Sequence, residues 1–151
     1  MQLIIPMSGL GQRFLKAGYK VPKPLINVEG KSIISHVVAM FPGVDSVFFI
    51  CNKNHLLNKD LRMRETLLKI KPDCHIIPID QHKKGPIHAV LSSIKAFDIE
   101  KQTIVNYCDF NCIWNFNEFV NYVERTKCDG CVVTYSGFHP HMMGNTNYAY
   151  L

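Results

Sequence analysis

Five short apolar runs punctuate this chain, and stretches of helical periodicity separate them; few arrangements other than a layered α/β domain accommodate that order. The first run, Leu3-Ile4-Ile5-Pro6-Met7, is continuous rather than alternating, the pattern of a strand buried on both faces. The others are Val47–Cys51, Cys74–Ile79, Thr103–Cys108 and Cys131–Tyr135. Between them, Ser32 can cap a helix carrying Ile33, Ile34, Val37 and Val38 that Pro42-Gly43 ends. Asn58 can cap a second helix reaching about Ile70, with Leu61 and Leu68 on one face. Gly85-Pro86 opens a third, in which Ile87, Val90, Leu91 and Ile94 recur at i, i+3, i+4 and i+7. Asn115-x-x-Glu118 resembles a capping box before a fourth, whose apolar face is Phe116, Phe119, Val120 and Val123. Strands alternating with helices predict a three-layer αβα domain with a mainly parallel sheet, spanning residues 1–151 as one domain. The stretch from Ser8 to Gly30 reads as a long polar loop. Residues 137–145 read as a loop and 148–151 as the start of another strand, so the pattern looks cut short.

Composition excludes several classes. Hydrophobic residues make up 47% and charged residues 19% of the chain, enough for a buried core and against disorder. No run reaches the roughly 20 apolar residues of a membrane helix. The N-terminus has no basic region followed by a cleavage site, so it is read as a cytoplasmic chain with no membrane partner. The net charge of +5 is scattered over groups such as Lys16/Lys20/Lys23, Lys69/Lys71 and Lys83/Lys84. That is no nucleic-acid stripe interleaved with aromatics; it reads as solvated charge or as a bias toward a small polyanion. Cys108 and Cys112 with Cys128 and Cys131 have zinc-like spacing. Against zinc, Cys108 ends one apolar run and Cys131 begins another, as small buried hydrophobes would.

Parallel α/β sheets bind ligands at the carboxyl ends of their strands, and Gly9-Leu10-Gly11-Gln12-Arg13 follows the first strand. Glycines let a backbone approach phosphate closely. The loop is no dinucleotide fingerprint, because Phe14 takes the last Gly position. Nor is Gly30-Lys31-Ser32 a P-loop, because Leu25 takes the first Gly position. Gly-x-Gly-x-Arg is followed instead by Pro22-Lys23-Pro24-Leu25.

These two spaced elements, Ile4 to Phe14 and then Lys16-Ala17-Gly18-Tyr19 with Pro22 to Ile26, resemble the signature of the sugar-nucleotidyltransferase (NTP-transferase) family. Met7-Ser8 stands where the family usually has Ala-Ala, and Gln12 where it has Thr or Ser. The resemblance implies a glycosyltransferase-A-like Rossmann variant of the nucleotide-diphospho-sugar transferase type. It implies that backbone near Ser8 and Gly9 contacts the base, that the Gly11 region wraps a triphosphate, and that Arg13 holds the β and γ phosphates. It places Lys23 at the α-phosphate or the incoming phosphate. Gln81-His82-Lys83-Lys84-Gly85 resembles the segment that reads base and ribose through Gln81 and Gly85, with no catalytic role given to His82 or His88. The segment Val105 to Asn111 resembles the strand end whose Asp binds metal, which implies that Asp109 holds Mg2+. Asn111, two positions on, denies the Asp-x-Asp pair usual in glycosyltransferases of similar fold.

The implied reaction joins a nucleoside triphosphate, with CTP, UTP or dTTP favoured, to a phosphorylated acceptor such as a sugar phosphate, for surface polysaccharide precursors. A phosphate monoester is already largely ionised at neutral pH, its second pKa being ~6, so no general base is needed. Full-length family members are longer, and the remainder usually brings a second metal carboxylate, the acceptor-binding sheet and often an oligomer interface. A homo-oligomer, and a nucleotide-binding domain without turnover, are therefore alternatives the resemblance leaves open.

Overall fold

Strand β1, Gln2–Met7, is buried along its whole length, as its unbroken apolar run demands. It lies between two parallel neighbours, β4 (Ser46–Asn52) and β6 (Thr103–Val105). Leu3 pairs with Val47 on one side and Ile104 on the other. Outside β4 lies β5 (His75–Ile79), giving a parallel four-stranded sheet in the order β5-β4-β1-β6. Pro78, which cannot donate to a ladder, sits in β5, an edge strand where its missing N–H is tolerated. The computed structural model describes residues 1–134. The sheet belongs to one compact unit, Met1–Phe116, and a second begins at Asn117.

The steps from β1 to β4 and from β4 to β5 run the same way across the sheet, and the step to β6 runs back. Right-handed crossovers then set α2 (Ile33–Ala39) and α4 (Met63–Ile70) on one face and α5 (Gly85–Ser92) on the other. On the first face Leu3, Ile5, Val47 and Phe49 have no exposed surface, nor have Ile34, Val37 and Leu67. On the second, Ile4, Phe48, Ile50 and Ala89 form a buried cluster edged by half-buried Ile77, Ile79, Val90 and Phe97. Gln2 is buried in the sheet, and its amide is satisfied by donating to the Asp98 carbonyl and Thr103 Oγ1, each at 2.7 Å.

Several expectations need correction. The stretch after Ser8 is not a bare loop: it holds α1 (Gln12–Lys16), a 3-10 turn at Lys23–Leu25, and a hairpin of β2 (Asn27–Val28) and β3 (Lys31–Ser32). Glu29 and Gly30 turn that hairpin with positive φ, as a two-residue connection requires. Asn58 caps the 3-10 turn Lys59–Leu61 rather than a long helix, accepting from the Asp60 N–H at 3.0 Å. Arg62 then breaks the run in a left-handed conformation, and α4 buries Met63 and Leu67 while Leu68 is exposed. Residues 131–134 form no strand; Val132 and Val133 are exposed, and so is Cys131. A short α3 (Lys53–Leu57) follows β4 directly, capped by the Asn52 side chain. In the second unit, α6 (Phe116–Thr126) runs on from the first, and Phe119, Val120 and Val123 make its less exposed side, as the periodicity predicted. The expected features at 137–145 and 148–151 lie outside the described residues.

Candidate active site

Because β1, β4, β5 and β6 are parallel, the loops after β1, β5 and β6 share one edge of the sheet. These are residues 8–11, 80–84 and 106–115, the segments in which sequence placed its candidates. After β1 the chain turns at Gly11, whose φ of 60° is the left-handed conformation that glycine adopts without a steric penalty. Its carbonyl accepts from the Phe14 and Leu15 N–H groups and so starts α1, which carries Arg13. The 3-10 turn at Lys23–Leu25 comes next, pinned by buried Pro24 and by the Leu25 N–H donating to the Pro22 carbonyl at 2.8 Å. Two prolines limit the backbone around Lys23.

Leu10, Gly11, Gln12, Arg13, Phe14, Lys23, His82 and Lys83 line a cavity of about 560 Å³. Three cationic side chains thus face one space, a setting for a polyanion. The Lys23 ammonium forms an ion pair with Asp109 Oδ2, across 86 positions of sequence. It also lies 4.8 Å from the centre of the Phe14 ring, which Tyr19 meets edge-on at 5.5 Å. Arg13, Lys23 and Gly11 therefore share a cavity, and Asp109 is tied to it through Lys23. Gln81 and Gly85 do not line it. Both are exposed on the adjoining loop, and Gly85, at φ 84°, starts α5.

The loop after β6 is held by its own polar groups and by α2. Asn106 extends the ladder by donating its N–H to the Ile4 carbonyl at 3.1 Å, and its side chain donates to the Tyr107 and Phe110 carbonyls. Asn111 Nδ2 donates to the His36 carbonyl at 3.0 Å, and Trp114 Nε1 to that of Met40 at 3.0 Å. The His36 ring reaches the Val28 carbonyl at 2.9 Å, which fixes the hairpin after Lys23 to the same helix. Asn111 thus positions the Asp109 segment. Cys108, half-buried beside Asp109, has its thiol pushed up to about 12 by burial, the carboxylate adding to the effect. It is an inert thiol rather than a nucleophile.

Sequence reasoning missed two supports. Buried Asn52 donates to the Ser8 carbonyl at 3.3 Å and accepts the Asn54 N–H at 2.9 Å, fixing the end of β1 against the start of α3. His82 also reaches the cavity. Its Nδ1 accepts the Lys84 N–H at 3.3 Å, so Nε2 carries the proton toward Ser8 Oγ at 3.4 Å. An Asn closing an apolar strand just before a helix was the available signal for Asn52; nothing in the sequence marked His82.

Asp109 offers a single hard carboxylate, 30% exposed and already attracting a cation, the kind of oxygen donor that magnesium takes alongside phosphate oxygens. The four cysteines weighed for zinc are free thiols, and among the described residues His, Cys, Asp and Glu side chains do not gather in threes.

A model of the MobA-like NTP transferase domain matches residues 3–150. The chain belongs to that family. No curated protein gives a significant match. Among solved structures, the NTP transferase domain is similar to a nucleoside-diphosphate-sugar pyrophosphorylase from Vibrio cholerae RC9 (23% identity, TM-score 0.56, 78% of this chain and 52% of that one). It is similar to a UTP-bound UGPase from Acinetobacter baumannii (19%, 0.59, 83% and 53%) and to a UDP-glucose pyrophosphorylase complexed with UDP-glucose (23%, 0.60, 84% and 54%). At these identities the likeness establishes the fold, the Rossmann-like nucleotide-diphospho-sugar transferase type. The domain spans just over half the length of each of these structures. Among the described residues, no helix is long and apolar enough to cross a membrane.

Proposed function

We propose that this domain binds a nucleoside triphosphate and transfers its nucleotidyl group to a phosphorylated small molecule, foremost a sugar phosphate, in the cytoplasmic supply of polysaccharide precursors. The observation that carries the reading is the shared cavity of Arg13 and Lys23, with Asp109 drawn to it by Lys23. UTP is the first nucleotide to test, since two of the similar structures are described with UTP or UDP-glucose.

In this scheme an acceptor phosphate oxygen attacks the α-phosphorus. A new P–O bond forms there, the α–β bridging P–O bond breaks, and pyrophosphate leaves with that electron pair. The Arg13 fork donates several hydrogen bonds to the departing phosphates as their charge grows. Lys23 holds the α-phosphate or the acceptor phosphate as a point charge. Backbone at Ser8, Gly9 and Gly11, with Gln81 and Gly85, holds the base, ribose and phosphates. Asp109 would hold Mg2+, whose chemistry is neutralisation of phosphate charge. Positioning and charge together replace a general base.

The test is pyrophosphate release from each of five NTPs with Mg2+ and a panel of sugar 1-phosphates. Arg13→Ala should cut turnover by roughly a hundredfold, the scale of losing a pre-placed charge donor. An unchanged rate removes Arg13 from the scheme, and the absence of any thermal shift with all five nucleotides sinks the whole reading. A second reading is nucleotide binding without turnover. Binding without pyrophosphate release would select it.

A further inference from the structure

Lys23 and Asp109 have separate tasks in the proposed reaction, one facing phosphate and the other facing a divalent ion, yet each is bound to the other. An ammonium on Asp109 Oδ2 takes up a position that a cation drawn to the same carboxylate would compete for. The carboxylate likewise takes up the charge that Lys23 would offer a phosphate. Both side chains are about two-thirds covered, at 31% and 30% exposure, so water screens this competition only in part. The Phe14 ring, 4.8 Å from the ammonium, gives Lys23 a second favourable contact within the cavity that is separate from Asp109. Arg13 and Lys83, lining the same space, further favour an anion and disfavour a lone metal ion.

We infer that Lys23 and Asp109 form a mutual latch, so that polyphosphate and divalent ion each uncover the other's ligand and bind cooperatively. The inference rests on the nucleotidyltransferase reading of this cavity. A polyphosphate draws Lys23 away and leaves the carboxylate to the metal; the metal draws Asp109 away and leaves the ammonium to phosphate. Linkage makes the two effects equal in size. Either ligand alone should bind weakly, because each must first break the pair.

The latch predicts gains of binding from removing apparent site residues. Asp109→Asn should bind inorganic triphosphate more tightly in the presence of EDTA, by roughly fivefold or more, the size of one contact between charges ~4 Å apart with the full screening of water. Lys23→Met should bind Mn2+ more tightly with no phosphate present, by a similar factor. Loss of one charge nearby could imitate either result, so two controls separate them. Lys83→Met, which removes a cavity charge not paired with Asp109, should change Mn2+ affinity much less. In a Lys23→Met background, Asp109→Asn should give a distinctly smaller gain in triphosphate affinity, because only a repelling charge is lost and no ammonium remains to free. Calorimetry with triphosphate and electron paramagnetic resonance of free Mn2+ read these directly, and a gain in affinity cannot arise from misfolding. If triphosphate binds the wild-type chain but Asp109→Asn brings no gain, or the gain is undiminished without Lys23, the latch is overturned alone. If triphosphate binds none of the variants, the nucleotidyltransferase reading falls with it.

Discussion

The two faces of the sheet differ in how completely they are closed. Under α2 and α4, alternate residues of β1 and β4 are wholly buried, and each helix contributes side chains that vanish from the surface, Ile34, Val37 and Leu67 among them. Under α5 only Ala89 does so, while Ile87 and Leu91 remain 73% and 61% exposed and Ile77, Ile79, Val90 and Phe97 are half-buried. The difference shows that an apolar stripe is a statement about side chains, whereas burial depends on what approaches them. α5 turns Ala89 to the strands and leaves the larger Ile87 and Leu91 outside.

The contrast can be broken by mutation. Phe49→Ala, on the closed face, should cost ~3–5 kcal/mol of stability, seen in the urea midpoint; a cost near 1 would mean that this face is as open as the other. Ala89→Leu should cost ~1–3 kcal/mol, because the close approach of α5 leaves no room for three more carbons. A neutral result would show that α5 can lift off the sheet. Acid should then single out α3, which lies beside α4. Burial holds His55 below the ordinary histidine range, and its Nδ1 is buried without a hydrogen-bond partner. The unfolded chain therefore takes up that proton first. The stabilising contribution is complete above an unfolded value of ~6.5 and is lost as pH falls from there through the lower folded value. His55→Gln should flatten this limb of a stability–pH curve. Smallest of all, Leu91→Ser on the open face should stay within ~0.5 kcal/mol of the wild type, and a larger loss would reveal a covering that the exposure does not register.

The sequence disclosed the sheet more fully than its borders. β1 and β4 were legible because an unbroken apolar run has one stable outcome, a strand covered on both sides. The exposed face of α5 misled because Ile87, Val90, Leu91 and Ile94 keep helical spacing whichever way the helix turns, and only Ala89 reveals the distance to the strands. α1 was missed because five residues starting from a left-handed glycine carry too little periodicity to register. The β2–β3 hairpin was missed because two-residue strands cannot show alternation. In the candidate site, Arg13, Lys23 and Asp109 were singled out by the family resemblance of their segments. Their meeting was not, since the ion pair joins positions 86 apart and depends on which loops emerge at the same sheet edge. His82 was passed over for a related reason: its neighbour Ser8 is distant in sequence.

One residue of α2 fastens two shores of the cavity at once. The backbone of His36 moors the segment bearing the carboxylate, and its imidazole moors the hairpin that trails the ammonium. Inserting a single residue ahead of it would swing both moorings about 100° around the helix axis. Helix α2 is thus the jig that sets the gauge between opposite charges, and the register of a helix that offers nothing to a ligand governs whether those charges can meet.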